Sequence, residues 1–118
     1  MVGENDLKER WDNLIKYVSD NFGQGETLDL QAVLFLIGVQ ELGQGYREFT
    51  KEEKVDILHI AICKLLSRYD YYTLEHTDQD GWPHWKPNGK LPALKPGQQT
   101  ILMKEAAVLY FEEAGVEF

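Results

Sequence analysis

The stretch HTDQDGWPHW, from His76 to Trp85, brings together histidine, aspartate and tryptophan side chains that could do chemistry. Imidazole and carboxylate groups bind transition metals, and aspartates that precede a glycine can form a calcium loop. A calcium loop needs an acidic residue at its first position and a glutamate at its twelfth. Counted from His76, these positions hold His76 itself and Pro87, so the sequence argues against calcium.

A zinc or other transition-metal site would have to combine His76 and His84 with Asp78 or Asp80. The turn-forming sequence DQDG predicts a hairpin with strands 71–76 and 82–87, in which Glu75 faces His84. Because neighbouring residues on a strand point to opposite faces, His76 and His84 would then lie on opposite faces. We therefore predict no metal and no cofactor.

The helix that precedes the hairpin carries a second candidate, His59 and Cys63, whose side chains are neighbours at a spacing of four residues. A thiolate nucleophile with a histidine base would fit this spacing. The sequence offers no evident orienting group or oxyanion site beside them, and a buried structural cysteine is the commoner arrangement. We predict no catalytic residue; rapid alkylation of Cys63 at neutral pH would revive an enzyme hypothesis.

Aromatic residues are concentrated in the segment from Tyr71 to Pro87. Leu74 is predicted to face Trp85 and to pack with it on the helices, whereas Trp82 would face Thr77 and lie near solvent. Exposed tyrosine and tryptophan are favoured at protein interfaces, because large rigid rings are buried at small entropic cost. The segment therefore predicts a surface for a protein partner or a second copy of the chain, made of Tyr71, Trp82, His84 and Trp85.

Four helices are expected to position this segment. Apolar residues at helical spacing predict the first from Leu7 to Phe22, with Gly23 as its left-handed cap. The second, from about Asp29 to Leu42, is apolar nearly all round and is predicted to lie in the centre of the core, where Gly38 would let a neighbouring helix approach.

The third and fourth helices flank the hairpin. A capping box of Thr50 and Glu53 begins the third, whose apolar residues continue from Val55 to Tyr69. The fourth follows Pro96 and is predicted to turn five residues inward: Ile101, Leu102, Ala106, Leu109 and Tyr110. The sequence thus predicts a mainly α fold in a single domain over residues 1–118, with four helices and one β-hairpin between the last two.

Composition limits the classes of function. The formal net charge is −8, which argues against a phosphate-binding surface. The only cysteine cannot form an internal disulfide, and the longest apolar run, AVLFLIGV, is too short for a membrane span. We therefore expect a cytoplasmic protein without a membrane contact, whose acidic charge disfavours nucleic acid as a partner.

The order helix, helix, helix, hairpin, helix resembles a winged-helix domain, with the stretch YYTLEHTDQDGWPHWKPNGKL, about a fifth of the chain, as the wing. This resemblance implies nucleic-acid binding as an alternative function. Two features depart from the family: FTKEEKVDILHIAICKLLSRY is one unbroken helix without a turn, and the wing tip carries Asp78 and Asp80. The preferred prediction is therefore a non-catalytic interaction module, and the alternative is a divergent winged-helix nucleic-acid-binding protein.

Overall fold

A computed structural model describes residues 4–118 of the chain. These residues form four helices and one antiparallel hairpin, in the order α1 (Glu4–Phe22), α2 (Leu30–Leu42), α3 (Lys51–Ser67), β1 (Tyr72–Thr77), β2 (Pro83–Pro87) and α4 (Pro96–Glu113). The predicted mainly α fold with a hairpin between the third and fourth helices is confirmed.

The chain divides into two compact units, one made of Met1–Val33 with Leu94–Phe118 and the other of Leu34–Ala93. The helix α2 begins in the first unit and ends in the second. The single domain over residues 1–118 and the central place of α2 stay predictions, and residues 1–3 lie outside the described part of the chain.

In the first unit, α1 packs against α4. One face of α1 is buried, and its members are Leu7, Trp11, Leu14 and Val18. Arg10 forms an ion pair with Glu112, and the Lys104 amine lies 5.4 Å from the centre of the Trp11 ring. The prediction that Ile101 points inward is wrong: its side chain is 46% exposed, because all of residues 96–101 precede the buried part of α4.

The predicted cap of α1 is also wrong in its residue. The left-handed backbone conformation occurs at Gln24 and Gly25, with φ of 51° and 92°, and not at Gly23. Gly23 is needed for space instead, since a Cβ atom there would lie 2.2 Å from the carbonyl oxygen of Glu26. The chain reverses so tightly after α1 that a side chain at Gly23 would collide with its backbone.

In the second unit, α3 lies against the later part of α2 where the sequence predicted a close approach. A Cβ atom on Gly38 would be 2.2 Å from the carbonyl oxygen of Ile57, so the predicted role of this glycine is confirmed. Leu42, Phe49 and Ile57 form a buried cluster at this place. Phe35 and Val39 pack on the cluster from α2 and widen it.

The predicted capping box of α3 is confirmed. The Thr50 hydroxyl accepts a hydrogen bond from the Glu53 N–H at 3.1 Å, and the Glu53 carboxylate accepts one from the Thr50 N–H at 3.0 Å. The bond from Thr50 and the pairing with Arg47 lower the pKa of Glu53 below its ordinary value. The helix ends at Ser67, before the predicted Tyr69.

The buried face of α3 includes Leu65 and Leu66 of the predicted run of apolar residues but not Val55. Val55 is 65% exposed, and the buried residues are Ile57, Ile60, Ala61, Cys63, Leu65 and Leu66. Apolar side chains surround most of this helix, so their spacing alone does not determine which side becomes buried. The packing of Ile57 against Gly38 decides it.

Candidate functional site

The hairpin register matches the prediction at one end and departs from it at the other. Leu74 faces Trp85, as predicted. A bulge between Leu74 and His76 then leaves Glu75 without a directly opposite residue, so the predicted pair of Glu75 with His84 is wrong. His76 faces His84 instead. An extra residue on one strand shifts every later pair, which is the usual effect of a β-bulge.

The two histidines therefore lie on the same face, and the predicted opposite orientation is wrong. Their rings stack with centroids 4.5 Å apart and planes 5° from parallel. In this arrangement the nitrogen lone pairs lie in parallel planes and do not converge on one point. Within residues 4–118, no group of three or more histidine, cysteine, aspartate or glutamate side chains has a geometry that could hold a metal ion.

The turn of the hairpin is organised by the carboxylate of Asp78. Its Oδ1 atom accepts hydrogen bonds from the N–H groups of Asp80 at 2.9 Å and Trp82 at 3.0 Å. Its Oδ2 atom lies 2.8 Å from Nε2 of His84. The bond with His84, followed by those from the backbone, lowers the pKa of Asp78 below its ordinary value. Gly81 completes the turn with a φ of 86°.

Trp82 supports the hairpin from its inner side. It is half-buried and packs against the cluster of Leu42, Phe49 and Ile57, so the prediction that it lies near solvent is wrong. The register explains the difference, because Thr77 pairs with Pro83 rather than with Trp82, and Trp82 belongs to the turn. Tertiary packing therefore sets the side on which this ring lies.

A second attachment of the turn comes from the loop after α2. The side-chain amide of Gln44 donates a hydrogen bond to the carbonyl oxygen of Asp80 at 2.6 Å. Gly81 lies under the same amide, since a Cβ atom there would be 3.1 Å from Nε2 of Gln44. Sequence reasoning missed Gln44, because a contact across 36 residues leaves no local signal.

The strand β1, called the outer strand below, is mostly exposed to solvent. Only its first residue is half-buried, and Thr73 to Thr77 are exposed. Leu74 is 47% exposed, so its predicted packing on the helices leaves about half of the side chain open to solvent. Trp85, opposite it on β2, is half-buried, and its indole N–H is buried without a hydrogen-bond partner among the described residues. Tyr71 is also half-buried and lies 6.0 Å, centroid to centroid, from the Tyr69 ring.

The two strands present different outer edges. The N–H of Asn88 donates to the carbonyl oxygen of Tyr71 at 2.9 Å. Hydrogen-bonded and non-hydrogen-bonded pairs alternate in an antiparallel ladder, so the backbone groups of the next pair, Tyr72 and Pro87, point outward. The same alternation turns the backbone groups of Leu74 and Trp85 outward.

Proline distinguishes these edges. On β2, Pro83 and Pro87 lack the N–H group that would point outward, and a second strand would find few donors there. On β1 the sequence YTLEHT contains no proline, and among the described residues this strand pairs only with β2. The outer edge of β1 thus has free donors and acceptors and is exposed on most of its length.

His59 and Cys63 lie side by side on α3, as their spacing predicted. The Sγ atom of Cys63 is 3.4 Å from Nε2 of His59. Burial raises the pKa of the Cys63 thiol to about 11, so at neutral pH it carries its proton. A protonated, fully buried thiol is a poor nucleophile, because the thiolate is the reactive form.

Comparisons of the chain with protein-family models, with curated proteins and with solved structures found no match. Within the described residues, every helix is too short or too polar to cross a membrane.

Proposed function

We propose that this protein is a small, non-catalytic interaction module that binds a protein partner through the hairpin Tyr71–Pro87. The observation that carries the proposal is the exposed outer strand β1, with its open edge and with Leu74 47% exposed. An open edge without proline invites another strand, and proteins that must avoid this block the edge with proline or charge. Here proline blocks the edge of β2 alone, and on β1 the acidic Glu75 lies at the bulge, beyond Leu74.

The four residues predicted to bind the partner have different places in this surface. His84 is exposed and stacks on His76, and Tyr71 and Trp85 are half-buried along the same hairpin. Trp82 packs on the cluster beneath and acts by holding the turn in position. We therefore assign partner contact to Tyr71, His84 and Trp85 and a supporting role to Trp82.

A non-catalytic role is favoured by the chemistry of the best nucleophile candidate. Cys63 is buried and its pKa is raised to about 11, so alkylation at neutral pH should be slow. Nucleic-acid binding is less favoured, because Asp78 and Asp80 place carboxylates at the tip where phosphate would favour basic residues. We propose a cytoplasmic location, since one cysteine requires no oxidising compartment.

The experiment compares two exposed apolar residues of the second unit. Leu74→Lys places a charge on the hairpin, and Val55→Lys makes the same kind of change on α3, where Val55 is 65% exposed. Native mass spectrometry over a dilution series would report the association of each variant. We expect Leu74→Lys to weaken association and Val55→Lys to leave it unchanged; equal effects of the two would contradict a hairpin surface.

A further inference from the structure

We propose that the partner of the hairpin is a second copy of this chain, and that two β1 strands pair edge to edge in antiparallel orientation. In this arrangement Thr73 of one copy lies opposite Thr73 of the other, on a two-fold axis. The proposal rests on the proposed function, since it names the occupant of the same surface. The two hairpins would join into one continuous four-stranded sheet.

The backbone of β1 determines the register. Tyr72 and Leu74 belong to the pairs whose N–H and C=O groups point to the outer edge, and Thr73 lies between them with its groups turned toward β2. When Thr73 faces itself, Tyr72 of each copy exchanges both backbone hydrogen bonds with Leu74 of the other. In a register centred on Leu74, Tyr72 would have to bond to His76 of the other copy, which lies beyond the bulge that interrupts the regular ladder.

The side chains complement one another in this register. Tyr72 would lie directly opposite Leu74 of the other copy, an aromatic and an aliphatic group at a cross-strand distance of about 4.5–5.5 Å between Cβ atoms. On each hairpin Leu74 already faces Trp85, and Tyr72 faces Pro87. Pairing would therefore extend these into an apolar row of Trp85, Leu74, Tyr72 and Pro87 across both copies and would cover the exposed Leu74.

Charge also permits this register. The opposite face would carry the two Thr73 residues at its centre, and threonine opposite threonine is a favourable cross-strand pair. Lys86 lies beyond Thr73 on β2, so the lysines of the two copies would be separated by both β1 strands. No like charges would face each other directly, and added salt should strengthen pairing by screening the net charge of −8 on each chain.

The two-fold axis offers a sharp test at Thr73, which is exposed and whose hydroxyl donates a hydrogen bond to the half-buried side chain of Asn88. Thr73→Lys and Thr73→Glu each place two like charges opposite one another. Native mass spectrometry should show the homodimer of either variant weakened by about tenfold. An equal mixture should restore dimers, and these should contain one chain of each kind.

Matched variants at Thr27, an exposed threonine before α2, control for the change in net charge. Thr27→Lys and Thr27→Glu should leave dimerisation unchanged and should show no preference for mixed dimers. Restoration in the Thr73 mixture also shows that both variants are folded.

The outcomes separate this inference from the proposed function. If Leu74→Lys weakens association but the Thr73 variants dimerise like the unmodified protein, the hairpin surface stands and the β1 pairing is overturned. If the unmodified protein stays monomeric up to about 1 mM, the limit of weak affinity, the second copy is overturned as the partner. If the protein dimerises and neither Leu74→Lys nor the Thr73 variants weaken the dimer, both proposals are overturned.

Discussion

The turn and the outer strand of the hairpin are made from one short segment, yet the fold treats them differently. The turn is fixed: Asp78 holds it from within, Trp82 packs on a buried cluster, and Gln44 bonds to its backbone. The outer strand β1 contacts α3 but has exposed side chains and an open edge. The difference shows that contacts with residues far along the chain hold the turn in place, while the side chains and one edge of β1 stay open to solvent.

The largest effect is expected beneath the turn, at Ile57. This side chain is fully buried in the cluster on which Trp82 packs, so Ile57→Ala would leave a cavity. We expect a loss of about 4 kcal/mol in the free energy of unfolding, measured by urea denaturation. Val55→Ala, at an exposed position of the same helix, should change stability little; comparable losses would contradict this account of α3.

Trp82→Ala should have the next largest effect. The ring is half-buried against Leu42, Phe49 and Ile57, so its removal should lower the free energy of unfolding by about 2 kcal/mol. The sequence alone placed Trp82 near solvent in the partner surface, whereas the structure predicts a loss of stability that precedes any loss of association. An unfolding midpoint in urea that matches the unmodified protein would show that Trp82 does not support the turn.

Acid should weaken the hydrogen bonds that the Asp78 carboxylate makes in the turn. Folding lowers the pKa of Asp78 below its ordinary value of 3.8, so its contribution is complete above that pH and is lost as pH falls through the lowered pKa. Amide NMR shifts of Asp80 and Trp82 should follow this titration. Asp78→Asn should abolish the transition at the hairpin, whereas Glu53→Gln, in the capping box, should leave it in place.

The smallest effect on stability is expected on β1. Leu74 is half-exposed and lies on the free strand, so Leu74→Lys should change the free energy of unfolding by less than about 0.5 kcal/mol. Thermal unfolding of a dilute sample would check this. A loss as large as that of Trp82→Ala would break the comparison, because β1 would then support the fold as much as the turn does.

Much of the fold could be predicted, because its signals are local. The sequence predicted three such features: the capping box at Thr50, the close approach at Gly38 and the pair of Leu74 with Trp85. The turn composition was also recognised: the Asp78 carboxylate bonds to the local backbone, and Gly81 has a positive φ of 86°. Each of these depends on residues a few positions apart or on a strongly patterned helix.

The candidate site was less predictable. The bulge at Glu75 and the stacking of His76 on His84 depend on which strand carries one extra residue. Several registers satisfy the alternation of apolar and polar residues nearly as well, so the sequence does not choose between them. The exposure of Val55 likewise depends on which side of α3 meets a neighbour.

The sequence by itself determined the order of the helices and the hairpin, the capping box of α3, and the proline that blocks β2. These depend on backbone conformation and on bonds between near neighbours. Only the tertiary structure decided that Trp82 packs inward while Leu74 stays half-exposed. The physical reason is that burial depends on contacts with Leu42, Phe49 and Ile57, which lie far along the chain and meet Trp82 only after folding.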